Sequence, residues 1–372
     1  MALKFWVTAP FFYEDTRRPW ADVLNDMLEI VDAAEELGFE GITVNENHFQ
    51  NYVANPSSLT FSALAAQRTK RLRIMPGIVV LPYYNPLLIA SDMTMLDHMA
   101  PGRVGIGVAR GGSPYPLHRI GVDPADARAI YEESLEIIRK VWTEEDVSYD
   151  GKFFSFPKTT VMPRPASDPH PQLFVGAQSV DGVRKVAAQG LNLITAPNYG
   201  NFEPHGDLQE LMSTYDAAVA ESGLPRGEVM VLRHTWVGRT EEEALEYFDD
   251  VVNEYNYYLS LTGSKATSAA NRESRQAVRN EREPVVVERG RMAPAQETVS
   301  TEGLWEKYDD PVMSTPARMI ERFKTYEAMG VDHLVCLIAM GQPNSAIIRN
   351  MEMMAKEVLP AFADAAHPAG IQ

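Results

Sequence analysis

The sequence has little cysteine: among its 372 residues only Cys336 carries a thiol. A disulfide framework needs at least two cysteines and a cysteine-based metal site needs several, so both are excluded. Cys336 lies in the apolar run 333–338, which predicts a small buried core residue. The sequence also has no HExxH motif and no paired His/Asp spacing, so we expect no metal site.

Positive charge is scarce as well. The chain has 34 Lys and Arg against 51 Asp and Glu, a formal net charge of −17 at pH 7. An acidic surface repels nucleic acid and anionic membranes, so we expect neither as a partner. An anionic ligand would therefore need a locally basic pocket.

Long apolar runs are absent. No stretch is long enough to span a bilayer, and residues 1–7 contain no extended apolar signal region. We therefore expect a soluble, cytoplasmic protein.

Strand-like and helix-like runs alternate along the whole chain. Eight such units favour parallel pairing and an α/β fold, a closed (β/α)8 TIM barrel with insertions after strands 4 and 7. An open doubly wound sheet is the alternative, but no strand is followed by a GxGxxG turn that opens a helix. The predicted strands are 3–9, 41–45, 72–81, 103–109, 172–176, 191–196, 229–237 and 332–340. The predicted helices are 21–37, 57–68, 86–99, 125–142, 180–189, 207–221, 241–259 and 345–363.

Two insertions interrupt this pattern. Residues 146–171 predict a small β-excursion with Asp150-Gly151 as its turn, followed by a Pro-rich link. Residues 262–314 are polar with little periodicity, which is typical of an active-site lid or of a disordered loop. We expect one barrel domain over residues 1–366 and a flexible tail at 367–372.

The fourth predicted strand runs directly into Arg110, Gly111 and Gly112. A guanidinium offers a planar fork to phosphate or carboxylate oxygens, and glycines leave backbone N–H groups uncovered. A strand-end arginine can also pair only with a neighbouring carboxylate. In a barrel this position lies at the carboxyl end of the strands, where ligands bind.

A second anion signal follows the fifth predicted strand. Gln178, Ser179 and Gly182 open a helix there, and helix N-termini bind phosphate. Ser179 also fits an ordinary helix N-cap. Because Arg110 lies one barrel strand away, the two features together favour a phosphate pocket.

Glu46, Asn47 and His48 follow the second predicted strand. The imidazole suits proton transfer near neutral pH, although a hydrogen-bonded structural histidine fits equally well. Glu46 suits a base or the partner of a buried arginine. No GxSxG motif or P-loop occurs, so the chemistry points to a phosphate-bearing cofactor.

The chain resembles the luciferase-like monooxygenase family, the flavin-dependent group that includes the bacterial luciferase α-subunit. The resemblance covers about residues 5–362, interrupted by 262–314. It is carried by GFEGITVNENHF at 38–49, IVVLP at 78–82, LDHMAPGRVGIGVARG at 96–111, MPRP at 162–165 and PHPQLFVGAQS at 169–179.

The resemblance implies a barrel that uses reduced FMN and O2, through a C4a-peroxyflavin, to oxygenate a small, largely apolar organic substrate. It further implies a separate flavin reductase, a homodimer involving the second and third helices, and a mobile lid after strand seven. The cofactor-binding residues that it implies are Arg110 and Gly111 with Gln178, Ser179 and Gly182 for the phosphate, and Gly77, Ile78 and Ala109 for the flavin ring. Gly77–Ile78 would be a cis peptide.

One position departs from the family pattern. Many members have Glu-His-His where this chain has Glu46-Asn47-His48, so Asn47 occupies the place of the luciferase's catalytic histidine. We predict His48, Asn47 and Glu46 as the catalytic group. Because related deazaflavin enzymes use a histidine at the place of His48, an F420-dependent oxidoreductase is the alternative. A non-catalytic flavin-binding subunit is a second alternative.

Overall fold

The computed structural model describes residues 2–13, 17–49, 53–111, 114–196, 208–248, 312–338 and 342–363, with the backbone of 286–287 and 291–292. The predicted lid at 262–314 lies outside these residues except for 286–287, 291–292 and 312–314. The predicted tail at 367–372 lies wholly outside them.

The barrel strands are all parallel, as the alternation predicts. The strands are β1 (Lys4–Ala9), β2 (Gly41–Val44), β3 (Arg73–Pro76), β4 (Val79–Val80), β5 (Gly105–Ala109), β6 (Val147–Asp150), β7 (Ser155–Thr159), β8 (Gln172–Gly176), β9 (Asn192–Thr195), β10 (Val229–Val237), β11 (Val286–Val287), β12 (Arg291–Met292), β13 (Val312–Ser314) and β14 (His333–Leu337). The main sheet has the order β3-β2-β1-β14-β10-β9-β8-β5-β4, and β13 pairs with β10.

This sheet closes on itself where β3 meets β5. Ile74 forms a parallel bridge with Val104, and its amide donates to the Arg103 carbonyl at 2.8 Å. The predicted (β/α)8 barrel is therefore confirmed.

Helices surround the strands, and their starts are set by local signals. In one of them the Asn85 side chain accepts from the amides of Leu87 and Leu88, directly before Pro86. The helices are α1 (Trp20–Glu36), α2 (Ser58–Arg68), α3 (Pro86–Met99), α4 (Pro114–Arg119), α5 (Ala127–Thr143), α6 (Val180–Ala187), α7 (Leu208–Ser222), α8 (Glu241–Ala244), α9 (Pro316–Ala328) and α10 (Asn344–Glu357), with 3-10 turns at Leu81–Tyr83 and Leu359–Phe362.

Two predicted elements differ from the structure. The continuous third strand over 72–81 is wrong, because the Gly77–Ile78 peptide is cis and divides it into β3 and β4. The continuous helix over 241–259 is also wrong, because α8 ends at Ala244. The Phe248 amide donates to the Leu245 carbonyl at 3.0 Å, so a tight turn follows the helix. Residues 249–259 lie outside the described part.

The predicted β-excursion is confirmed as the antiparallel hairpin β6–β7. Its turn is closed by the Gly151 amide, which donates to the Phe154 carbonyl at 2.9 Å. The Glu133 carboxylate of α5 accepts from the Phe153 and Phe154 amides and ties the hairpin to the barrel.

Large apolar side chains fill the barrel axis. Buried residues from six strands form this inner cluster: Trp6, Met75, Phe174, Ile194, Met230, Val335 and Leu337. Cys336 is fully buried, as predicted, and burial raises the pKa of its thiol to about 12.

A polar chain holds the amino-terminal end of the barrel. Trp6 Nε1 donates to His333 Nδ1 at 3.0 Å, and His333 Nε2 lies 3.1 Å from the Glu228 carboxylate. The hydrogen bond with His333 lowers the pKa of Glu228 from 4.5 to about 2. Because the folded-state pKa lies below the unfolded one, this stabilisation is complete above about pH 5 and is lost toward pH 2.

We predict that Glu228→Gln lowers the free energy of unfolding by roughly 2 kcal/mol near neutral pH, since the Glu228 side chain is only 29% exposed. The deficit should shrink steadily as the pH falls from about 5 to about 2. Urea unfolding at a series of pH values measures it, with Glu221→Gln on the exposed surface of α7 as control. A deficit that does not depend on pH would contradict this origin.

Candidate active site

The carboxyl ends of the barrel strands surround a cavity of about 1180 Å³. Side chains and backbone from β2, β5, β8 and the β3–β4 break meet there. All but one of the predicted site residues line it: Glu46, Asn47, Gly77, Ile78, Ala109, Arg110, Gly111, Gln178, Ser179 and Gly182. The residue that does not is His48.

Arg110 directly follows β5, and its side chain is exposed to the cavity. Within the described part of the chain no carboxylate pairs with its guanidinium. The alternative that Arg110 only pairs with a neighbouring carboxylate is therefore not observed there. An unpaired guanidinium is a strong partner for an anion.

At the end of β8, the strand that pairs with β5, Ser179 is the N-cap of α6. Its Oγ accepts from the Gly182 amide at 3.2 Å, so Ser179 caps the helix as the sequence allowed. The hydroxyl hydrogen stays available to a ligand, because a serine can accept and donate at once. Gln178 is exposed beside it. These donors fit a phosphate at a helix N-terminus.

Small residues make room for the Gly77–Ile78 peptide. A Cβ on Gly107 would lie 3.3 Å from both Gly77 Cα and the Pro76 carbonyl oxygen. A Cβ on Gly176 would lie 3.0 Å from Ala109 Cβ and 3.5 Å from Ile78 Cδ1. The glycines of β5 and β8 therefore let Ile78 lie close against these two strands.

Gly111 requires the freedom of glycine. Its φ is +80°, and a Cβ there would lie 2.6 Å from Val80 Cγ1. The chain after Arg110 can therefore turn close under β4 only without a side chain.

Glu46 is part of the cavity wall, but its side chain is buried, with 1% exposed. Its Oε2 accepts from Ser58 Oγ at 2.8 Å, and its Oε1 lies 3.3 Å from His48 Nε2. Tyr84 lies near this carboxylate, and burial together with the Glu46 charge raises the pKa of Tyr84. The Glu46 carboxylate is therefore bonded to a hydroxyl and an imidazole. The sequence also allowed a buried arginine as its partner, and none is found among the described residues.

His48 stands one layer behind the cavity, with 18% of its side chain exposed. Its ring lies edge-on to Tyr83, with centroids 5.2 Å apart. Tyr83 itself lines the cavity, and its hydroxyl lies 3.7 Å from the place of a Gly111 Cβ. Asn47 lines the cavity directly.

Sequence reasoning missed Ser58, and it placed Tyr83 and Tyr84 at this end of the barrel without giving them a role in the site. The pair Tyr83-Tyr84 follows the third strand at the same barrel end, which is a usable signal. Ser58 opens α2 beside an N-cap serine and carries no signal of its own.

His234 lies within β10 and is buried. Burial lowers its pKa to about 3, with a smaller contribution from the Arg233 charge, so this ring is neutral. In the described residues no group of His, Cys, Asp and Glu is arranged to hold a metal ion. No helix among them is long and apolar enough to cross a membrane.

A family model described as luciferase-like monooxygenase matches residues 3–333. The chain belongs to the luciferase-like monooxygenase family. Over 347 residues it is 28% identical to the oxygenase component of a flavin-dependent trigonelline monooxygenase from Acinetobacter baylyi, covering 91% of this chain and 90% of that protein. The match confirms that this chain is an enzyme of the luciferase-like family.

Solved structures share the luciferase-like fold. The oxygenating constituent of 3,6-diketocamphane monooxygenase from Pseudomonas putida, in complex with FMN, superposes with a TM-score of 0.73 at 16% identity, covering 98% of this chain and 99% of that one. An F420-dependent secondary alcohol dehydrogenase superposes with a TM-score of 0.67 at 18% identity, covering 98% and 100%.

We predict that Gly107→Ala weakens flavin binding about tenfold or more, because the new methyl group must displace the Gly77–Ile78 backbone. The matched control is Gly105→Ala on the same strand, where a Cβ meets Met75 Sδ at an ordinary 3.6 Å. Flavin dissociation constants and melting temperatures of both variants test this. Equal flavin affinities of the two variants would mean that Gly107 does not shape the proposed site of the flavin ring.

Proposed function

We propose that this protein is a flavin-dependent monooxygenase that uses reduced FMN and O2 to oxygenate a small, largely apolar organic substrate. The observation that carries the proposal is that Arg110, with no carboxylate partner among the described residues, lines the same cavity as the Ser179 N-cap and the Gly77–Ile78 peptide. In a chain of net charge −17 such a pocket selects an anionic group.

Arg110, Gln178 and Ser179 would hold the FMN phosphate, and the Gly111 backbone lies beside them. Ile78 would support the flavin ring, while Ala109 leaves space next to it. When bound, reduced FMN supplies the electrons with which O2 is activated.

The remaining walls support an apolar substrate. The aliphatic side chains that line the cavity include Val53, Ile194, Leu232 and Leu337. Asn47 and Tyr83 add polar groups, which would orient a substrate rather than supply most of its binding energy. His48 would act from behind this wall and Glu46 from within it.

A separate flavin reductase is the proposed partner. The relative from Acinetobacter baylyi is named as an oxygenase component, and such a component obtains reduced flavin from another protein. We therefore propose the same division for this chain.

F420-dependent hydride transfer is the second candidate. The structural likeness to the F420-dependent alcohol dehydrogenase and the histidine at position 48 favour it. Each of the two cofactors carries a phosphate group that Arg110 would bind.

We predict that Arg110→Ala weakens FMN binding roughly 10- to 100-fold, because a charge-assisted hydrogen bond is worth about 1.5–3 kcal/mol. The matched control is Arg184→Ala, an exposed arginine of α6 outside the cavity lining, which should bind FMN normally. Titrations with oxidised FMN, with reduced FMN under anaerobic conditions and with F420 measure the affinities. Unchanged affinity in Arg110→Ala would contradict the phosphate assignment.

The same titrations separate the candidate functions. Binding of FMN with substrate-coupled oxygen uptake in the presence of a reductase would support the monooxygenase. Binding of F420 alone, with substrate oxidation that needs no O2, would replace it by the hydride-transfer function.

We also propose a homodimer formed through α2 and α3. These helices expose three large apolar side chains: Leu64 at 43%, Leu88 at 68% and Met95 at 55%. Such a patch is typical of an interface between protein chains.

We predict that Leu88→Glu converts the dimer to a monomer, because it places a charge in the apolar interface. Light scattering after size-exclusion chromatography measures the mass. Leu224→Glu, at a comparably exposed leucine after α7, is the control and should remain dimeric. A monomeric wild type would rule the dimer out.

A further inference from the structure

The cluster around Glu46 joins three separate parts of the chain. Ser58 is the first residue of α2, Tyr84 follows the 3-10 turn Leu81–Tyr83, and Glu46 and His48 follow β2. Ser58 is fully buried, and Glu46 has 1% of its side chain exposed. Groups buried this way are held by their hydrogen bonds.

The hydrogen bonds in this cluster have a defined direction. A carboxylate only accepts, so the Ser58 hydroxyl must donate to Glu46 at 2.8 Å. The Tyr84 hydroxyl lies close enough for the Glu46 charge to raise its pKa. Glu46 also lies beside the first turn of α2, where the helix dipole favours negative charge. Because Ser58 Oγ bonds Oε2, the carboxylate keeps Oε1 directed at His48 Nε2, 3.3 Å away.

The same direction decides the tautomer of His48. Because Glu46 accepts, the hydrogen of a neutral His48 ring belongs on Nε2 and the lone pair on Nδ1. The ring cannot turn freely, since Tyr83 lies edge-on to it at 5.2 Å and Tyr84 at 6.4 Å.

We propose that Ser58 and Tyr84 are positioning residues that act through Glu46 to hold His48 with its proton on Nε2 and its lone pair on Nδ1. Nδ1 is then the atom of His48 that can accept a proton. The Nε2–H tautomer of His48 is inferred from its contact with Glu46 alone. That Nδ1 accepts a proton during turnover rests on the proposed function.

The first measurement needs no cofactor. Protein labelled with 15N-histidine, kept at about pH 8.5 so that an ordinary imidazole is neutral, is studied by long-range 1H–15N correlation spectroscopy. The His48 signals are identified by their loss in His48→Gln. We expect a single Nε2–H tautomer in the wild type. A proton on Nδ1, or a doubly protonated ring, would overturn the proposal.

Four variants test the positioning role. Ser58→Ala removes the donor to Glu46 and Tyr84→Phe removes the neighbouring hydroxyl, and we expect each to give a mixture of the two tautomers. Ser58→Thr keeps the hydroxyl and should restore the wild-type signal. The control is Ser57→Ala, whose hydroxyl instead caps α2 by accepting from the Thr60 amide at 3.2 Å. It should lower the melting temperature and leave the tautomer unchanged. A wild-type tautomer in both hydroxyl-deleted variants would overturn the proposal.

Turnover supplies the second readout. In Ser58→Ala and Tyr84→Phe we expect kcat to fall about tenfold or more, with the KM for substrate and the FMN dissociation constant unchanged. An unchanged kcat in both would overturn the positioning role. If the tautomer behaves as expected but neither flavin binding nor oxygen uptake is found, the proposed function fails while the assignment of Nδ1 stands.

Discussion

The contact of Gly107 with the Gly77–Ile78 peptide is the constraint on which the barrel and its site depend. β5 lies against β4 and close to β3, and at Gly107 the two backbones approach so closely that a methyl group would be 3.3 Å from Gly77 Cα. The Ile74–Val104 bridge that closes the barrel lies just below this contact. Gly107 therefore lies both near the bridge that closes the sheet and against Gly77, which lines the cavity.

The two ends of the barrel use polar groups in opposite ways. At the amino-terminal end, Trp6, His333 and Glu228 satisfy one another, which lowers the pKa of Glu228 and stabilises the folded state. At the carboxyl end, Arg110 has no carboxylate partner among the described residues. Polar groups that are paired contribute to stability, and a charge that is left unpaired beside a cavity is available to a ligand.

The wall at the end of β2 combines both uses. The Glu46 side chain is buried, and its carboxylate contacts the Ser58 hydroxyl and the His48 imidazole. Asn47, the next residue, lines the cavity. Tyr83 connects the two layers, because its ring packs on His48 and its hydroxyl reaches the space beside Gly111. A change in the buried layer can therefore alter the cavity wall without a change in any residue that a substrate touches.

The sequence by itself determined the order of strands and helices, the barrel, and the meeting of Arg110 with Ser179 at one rim. These follow from local periodicity, from the Asn85 and Ser179 caps, and from the rule that parallel strands end on one side. The cis form of Gly77–Ile78 was predicted only through the family resemblance, since nothing in local propensity favours it.

Only the tertiary structure decided which side chains of the β2 end face the cavity. His48 lies behind the wall and Asn47 in it, although the two are neighbours in sequence. The partners of Glu46 come from α2 and from the segment after β4, and packing of distant segments is not encoded in local pattern.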